Sequence, residues 1–167
     1  MKKGFIILIV VFSVFISQCG IYSFSGASLD PKDKTVNVKF FSNRAAIINP
    51  NLSQLFTEKL KDRFASQTKL ELVDFNGDLT FEGEITAYDT KPISVTQNEQ
   101  AELNRLTITV HVKYKSINKP KFNFDTSFTR YADYESSKLL TDVEDELSEQ
   151  IVTELIDDIF NKSVVNW

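Results

Sequence analysis

His111 is the only histidine and Cys19 the only cysteine among the 167 residues. A single imidazole cannot build the paired-histidine metal motifs and leaves one acid–base ring at most. A single thiol excludes an intramolecular disulfide and a cysteine-based zinc site. The chain has no G-x-S-x-G elbow, phosphate-binding loop, dinucleotide fingerprint or H-E-x-x-H helix. His111 stands between Val110 and Val112 on the polar side of an alternating stretch, where a solvated strand residue is the ordinary outcome. Glu82 and Glu84 share a strand face, yet two carboxylates alone specify no glycosidase. Asp142, Glu144, Asp145, Glu146 and Glu149 crowd one segment, and helical geometry spreads them over a solvated surface rather than around a cation. The expectation is a non-enzyme with no catalytic residue, metal set or cofactor.

Binding chemistry is left. Lys113 and Lys115 continue the polar stripe begun by His111, and such a stripe suits an anionic lipid or phosphate group. The competing reading pairs them with Glu82 and Glu84 as cross-strand charges. Arg44, in a loop before a helix, and Arg105, where a polar loop meets a strand, have fewer acidic sequence neighbours and are further candidate ligand contacts. Arg130, Tyr131 and Tyr134 form an Arg/Tyr cluster of the kind that anchors a protein partner, or that packs a strand end. With 19 basic and 23 acidic side chains the net charge is −4, which gives no general field for nucleic acid.

The N-terminus reads as an address. Lys2 and Lys3 precede the apolar run from Gly4 to Ile16, the pattern of a secretory leader and short for a membrane span. Cys19 follows directly, which is the arrangement of bacterial lipoproteins whose thiol carries the lipid. Gln18 departs from the small residue usual before that cysteine. Residues 1–18 are therefore expected to be cleaved, 19–34 to be anchor and linker, and 35–167 to form one domain. Gly20, in place of an aspartate after the cysteine, favours the outer membrane, and the lack of an acidic run favours its periplasmic side.

The elements that must position these residues follow from periodicity. Thr35 to Phe41 alternates as a strand, and Asn49-Pro50 marks the start of a helix from Asn51 with Leu52, Leu55, Phe56, Leu60 and Phe64 on one stripe. Leu70 to Val73 is a short strand, and Asn76-Gly77-Asp78 is a turn of hairpin type. Leu79 to Tyr88 alternates, with Leu79, Phe81, Ile85 and Ala87 facing one way, and Asp89 to Asn104 reads as a mobile connection. Leu103 to Ile117 is the clearest strand, with Leu106, Ile108, Val110, Val112 and Tyr114 on its apolar face. Phe122 to Tyr134 is another strand, and Thr141 to Val164 a helix opened by a Thr141/Glu144 capping box. The sum is an α+β, two-layer sandwich: a mostly antiparallel or mixed sheet of about four strands against two helices.

Several stretches carry a family likeness. Cys19-Gly20-Ile21-Tyr22-Ser23-Phe24-Ser25-Gly26 resembles the start of mature lipopolysaccharide-assembly lipoproteins of the LptE family. Asn49 to Gln54, Phe81 to Ile85, Asn104 to Ile108, Arg130 to Tyr134 and Asp157 to Lys162 are similar to its Bacteroidetes branch. The resemblance implies two helices on a sheet, Cys19 as the lipidated residue, and a plug and assembly partner for the LptD-like outer-membrane β-barrel that inserts lipopolysaccharide. It carries over no lipid-contacting residue. The acidic balance opposes a polyanionic ligand unless a local basic patch overcomes it. The rival readings are a lipid-anchored periplasmic carrier of an apolar ligand and an accessory lipoprotein of another envelope machine.

Overall fold

The computed structural model describes residues 29–93 and 103–165. Residues 1–28, which include the expected leader and Cys19, lie outside them. The elements are β1 (Thr35–Val38), β2 (Ser42–Asn43), α1 (Leu52–Gln67), β3 (Glu71–Leu72), β4 (Leu79–Ile93), β5 (Leu103–Ser116), β6 (Phe124–Glu135) and α2 (Leu140–Phe160). A 3-10 turn at Pro120–Phe122 precedes β6, and a π-helical turn at Asn161–Val165 follows α2.

The sheet runs β3-β1-β4-β5-β6, with β2 also on β4. β1 is parallel to both β3 and β4, whereas β4, β5 and β6 form an antiparallel meander. Parallel neighbours need a crossover, and α1 supplies it between β1 and β3. The mixed sheet under two helices is the expected α+β sandwich, with six strands in place of about four.

One of the additional strands, β2, comes from a break in the first. Phe40 is 62% exposed while Phe41 is fully buried. The Phe41 amide leaves the ladder and donates to Thr57 Oγ1 on α1 at 3.1 Å. That turn lets the Phe41 ring pack on Phe56, centroids 4.9 Å apart, before β2 resumes pairing with β4.

The Asn76-Gly77 turn does not close a hairpin, because β3 and β4 flank β1 and never pair. The segment between them crosses over β1 instead. Asn37 Nδ2 donates to the carbonyls of Val73 and Asp74, and Asp78 accepts from the amides of Lys34 and Thr35. A Cβ on Gly77 would stand 2.6 Å from the Asn37 nitrogen, so only glycine allows this approach. Asn76 turns the corner with φ of 55°.

β4 also outruns its expected end. Asp89 to Ile93 continue the strand, and Pro92 lies opposite Asn104. Pro92 is tolerated because β2 stops pairing at Ile85, which leaves the outer edge of β4 open among the described residues. A register shift between Ile85 and Ala87 reverses the alternation, so Tyr88 rather than Ala87 is buried.

The core lies between sheet and helices. Leu52, Phe56, Leu60 and Phe64 recur every fourth residue on α1, and Leu147, Ile151, Leu155 and Ile159 do so on α2. Each such side chain stabilises the fold by about 1.5–3 kcal/mol. Phe64 and Phe81, Phe81 and Tyr114, and Tyr114 and Phe124 stack at 4.8, 4.8 and 5.2 Å, joining α1 to three strands. No capping box opens α2: Leu139 is the N-cap and makes no side-chain cap. Glu144 is engaged elsewhere.

Candidate functional site

The odd-numbered residues of β5 and β6 and the even-numbered residues at the start of β4 point away from the helices. They make an open, polar sheet face that carries most of the candidate residues. Its charges are almost all answered within the face. Glu82 receives Lys39 Nζ at 2.7 Å and Lys115 Nζ at 3.5 Å. The Lys39 ammonium first, and Lys115 further away, hold the Glu82 carboxyl below the usual range. Asp125 takes His111 Nε2 at 2.7 Å and stands 3.9 Å from Lys113 Nζ. Lys113 and Lys115 therefore have carboxylate partners, as the cross-strand reading expects, although Lys113 pairs towards β6 rather than with Glu82 directly opposite.

Arg105 is the most fully engaged of the candidates. Its Nε and Nη2 donate to the two oxygens of Asp133 at 2.7 and 2.9 Å, and its guanidinium lies 3.6 Å from the Tyr131 ring centroid. This bidentate pair depresses the Asp133 carboxyl. Arg105 and Asp133 are 28 residues apart in sequence, and only the β5/β6 register brings them opposite each other. Arg44 lies in the loop after β2. Its amide donates to the Ile85 carbonyl at 2.8 Å while its side chain is exposed.

The Arg130, Tyr131 and Tyr134 cluster is divided by strand alternation. Tyr131 is 50% exposed on the open face, whereas Tyr134 is 7% exposed on the helix side. Arg130 is also on the helix side and makes a bidentate pair with Asp158 of α2, at 2.6 and 2.7 Å. Positions of opposite parity cannot share one face of a regular strand.

Two arrangements escape local sequence reading. Ser127 Oγ lies 3.3 Å from His111 Nδ1, while Asp125 holds Nε2, so the three residue types of a hydrolase triad meet across β5 and β6. They do so on a solvent-facing β surface, with the His111 and Asp125 side chains 39% and 54% exposed. A catalytic triad needs a carbonyl seated beside an oxyanion hole, and a flat strand pair seats none. The second arrangement is buried. Tyr88 Oη donates to Glu144 at 2.5 Å and Asn49 Nδ2 donates to the same oxygen at 2.9 Å. Burial first, and then Glu144, push the Tyr88 hydroxyl well above its ordinary pKa. This knot ties β4 beyond its bulge to the start of α2 and the loop before α1.

Among the described residues, no group of three or more His, Cys, Asp or Glu side chains could hold a metal ion. No described helix is long and apolar enough to cross a membrane. A groove of about 560 Å³ runs between the helices, lined by Lys59, Arg63, Ser66, Thr153 and Ile156. Arg63 pairs there with Asp157, and Lys59 with Glu149.

A family model described as lipopolysaccharide-assembly, LptE, matches residues 34–163. No curated protein matches the sequence. Among solved structures, a minor lipoprotein from Acinetobacter baumannii aligns with 77% of this chain and 91% of its own, at 14% identity and a TM-score of 0.51. A hypothetical protein from Chlamydia trachomatis aligns with 78% of this chain and 98% of its own, at 13% identity and a TM-score of 0.52. A protein from Xanthomonas campestris gives 13% identity, coverage of 78% and 85%, and a TM-score of 0.51. At these identities the likeness is one of fold.

Proposed function

Since this chain belongs to the LptE family of lipopolysaccharide-assembly proteins, we propose that it works as a lipid-anchored plug and assembly partner of a large outer-membrane β-barrel of the LptD type. The match over residues 34–163 is the observation that carries the reading. In it, residues 1–18 are removed, Cys19 carries the lipid, and the folded domain sits at the periplasmic side of the outer membrane. The protein acts by shape and edge complementarity rather than by catalysis. Among the described residues β6 offers one open sheet edge, and β4 offers another beyond Ile85. Open edges of this kind accept a partner's backbone.

Direct lipopolysaccharide contact is a finer part of the same proposal. Arg105, Lys113 and Lys115 would have to exchange Asp133, Asp125 and Glu82 for lipid phosphates. Arg44, whose exposed side chain has no carboxylate partner among the described residues, would need no such exchange. The carrier alternative requires a cavity between the layers, and the stacked rings of Phe64, Phe81, Tyr114 and Phe124 occupy that space.

The test is purification of the full chain, tagged at its C-terminus, from outer membranes in mild detergent, with mass spectrometry of what accompanies it. A stoichiometric β-barrel of the lipopolysaccharide-export type is expected. Recovery of the lipoprotein alone, or with another envelope machine, would overturn the plug reading.

A further inference from the structure

Among the described residues the sheet ends on one side in the two-residue strands β2 and β3 and in β4 beyond Ile85. On the other side it ends in β6 alone. An unpaired edge invites another strand, and folds ordinarily blunt it by shortness, a bulge, proline or lysine. β2 and β3 are short. The open stretch of β4 carries the bulge at Thr86, then Lys91 and Pro92. β6 has none of these devices. It runs for 12 residues without lysine or proline, and it pairs with β5 from Tyr114↔Phe124 to Leu103↔Glu135 with no shift in register.

The charges on β6 do not guard it either. Asp125 is held by His111, Asp133 by Arg105 and Arg130 by Asp158 of α2, while Glu135 is the last residue of the strand. Thr126-Ser127-Phe128-Thr129, at the centre, is uncharged.

The core under β6 is also incomplete. On β5 Leu106, Ile108, Val110 and Val112 are fully buried, whereas Phe124 and Phe128 on β6 are half-buried, their ring centroids 5.9 Å apart. No described strand lies beyond them. Glu154 of α2 stands near Arg130, whose guanidinium already belongs to Asp158, and α2 contains no lysine or arginine.

We propose that β6 is the docking edge of the plug, and that it takes up one extended segment of the barrel partner as a further strand. The added strand carries apolar residues towards Phe124 and Phe128, a lysine or arginine towards Glu154, and polar residues on the open face beside Ser127, Thr129 and Tyr131. Backbone hydrogen bonds give such a contact its affinity, and alternate side chains its specificity. The wall strands of a closed barrel are already paired on both sides, so the segment is a loop or terminus that reaches the lumen. This rests on the plug reading above.

The test places a genetically encoded benzophenone amino acid at Ser127, Thr129 or Tyr131 of the full chain and irradiates outer membranes. All three side chains are exposed on the open face. Each should form an adduct with the barrel, and mass spectrometry should place the three on one segment outside the wall strands, stepping by two residues as β6 does. The same group at Thr86, on the bulged edge of β4, should give no adduct with that segment. Proline supplies a second measurement. Along β6 the amides point alternately to β5 and outward. One of Thr126→Pro and Ser127→Pro therefore breaks the ladder and lowers the melting temperature, and the other melts close to wild type. The variant that keeps its melting temperature should lower the adduct yield from Thr129 roughly tenfold or more, having lost an edge donor and gained a ring in the pairing plane. Adducts on wall strands, on a second copy of this chain or on no single segment would overturn the inference. So would a mapped segment without the apolar–polar alternation, or an unchanged yield from that proline variant. A barrel that co-purifies yet forms no adduct from β6 would sink this edge alone, whereas a chain recovered without a barrel would sink the plug reading and the edge with it.

Discussion

On the helix-covered side of β5, Leu106, Ile108, Val110 and Val112 are fully buried. One residue out of phase, Thr107, Thr109, His111 and Lys113 face water. The covered face is held by removal of apolar surface, which is insensitive to direction and large per residue. The open face is held by Glu82 with Lys39 and Lys115, by Asp125 with His111, and by Arg105 with Asp133, pairs whose worth in water is small. The covered face therefore sets stability, and the open face is free to be specialised. A charged residue there is not a ligand site merely because it is charged, since its partner can come from another strand.

Phe81 and Glu82 are adjacent in sequence and lie on opposite faces of β4, so they provide the sharpest contrast. Phe81 is fully buried between Phe64 and Tyr114, both at 4.8 Å. Phe81→Ala should cost about 3–5 kcal/mol through lost burial and the cavity left behind. Urea denaturation followed by circular dichroism would measure it. A loss below about 1 kcal/mol would mean that the layers are not joined through these rings.

The next effect in size lies where the two faces exchange phase. Tyr88 reaches the core side only because of the bulge at Thr86, and its hydroxyl donates to Glu144. Tyr88→Phe should cost about 1–3 kcal/mol, since Glu144 keeps Asn49 but loses a buried donor. Hydrogen exchange should show the loss concentrated at the first turn of α2 and the loop before α1. An even loss across the domain would sink the idea that this knot pins that end locally.

The covered face was legible in sequence because burial imposes a period. The stripes on α1 and α2 and the alternation in β5 lie where the spacing of leucine, isoleucine and phenylalanine puts them. Legibility ended where one residue changed the phase or a contact crossed the sheet. The bulge at Thr86 displaced Ala87 from the core, and the Phe41 amide broke the first strand to reach Thr57. Asn76-Gly77 has the composition of a hairpin, yet it crosses β1, and only knowledge of the strand order separates the two. The polar character of the open face is plain from the alternation along β5. The pairings across it, Arg105 with Asp133 and His111 with Asp125 and Ser127, depend on a β5/β6 register that no local pattern encodes. Strand parity alone separates Tyr131 from Tyr134.

The smallest effect completes the contrast on the open face. Glu82→Gln removes the charge that Lys39 and Lys115 share while keeping the shape of the side chain. Its cost should stay below about 1 kcal/mol at neutral pH, because the pair is partly solvated and screened. The sign with pH is fixed by the depressed carboxyl. Its contribution is fully present above the ordinary value of 4.5 and is lost as pH falls through the lower folded-state value. Wild type and Glu82→Gln should therefore differ by a small constant amount from neutral pH to about pH 5, and converge below that. Thermal melts across this range, at low and high salt, decide the matter. A gap that widens on acidification, or one as large as that of Phe81→Ala, would show that the open face carries the fold as the covered one does.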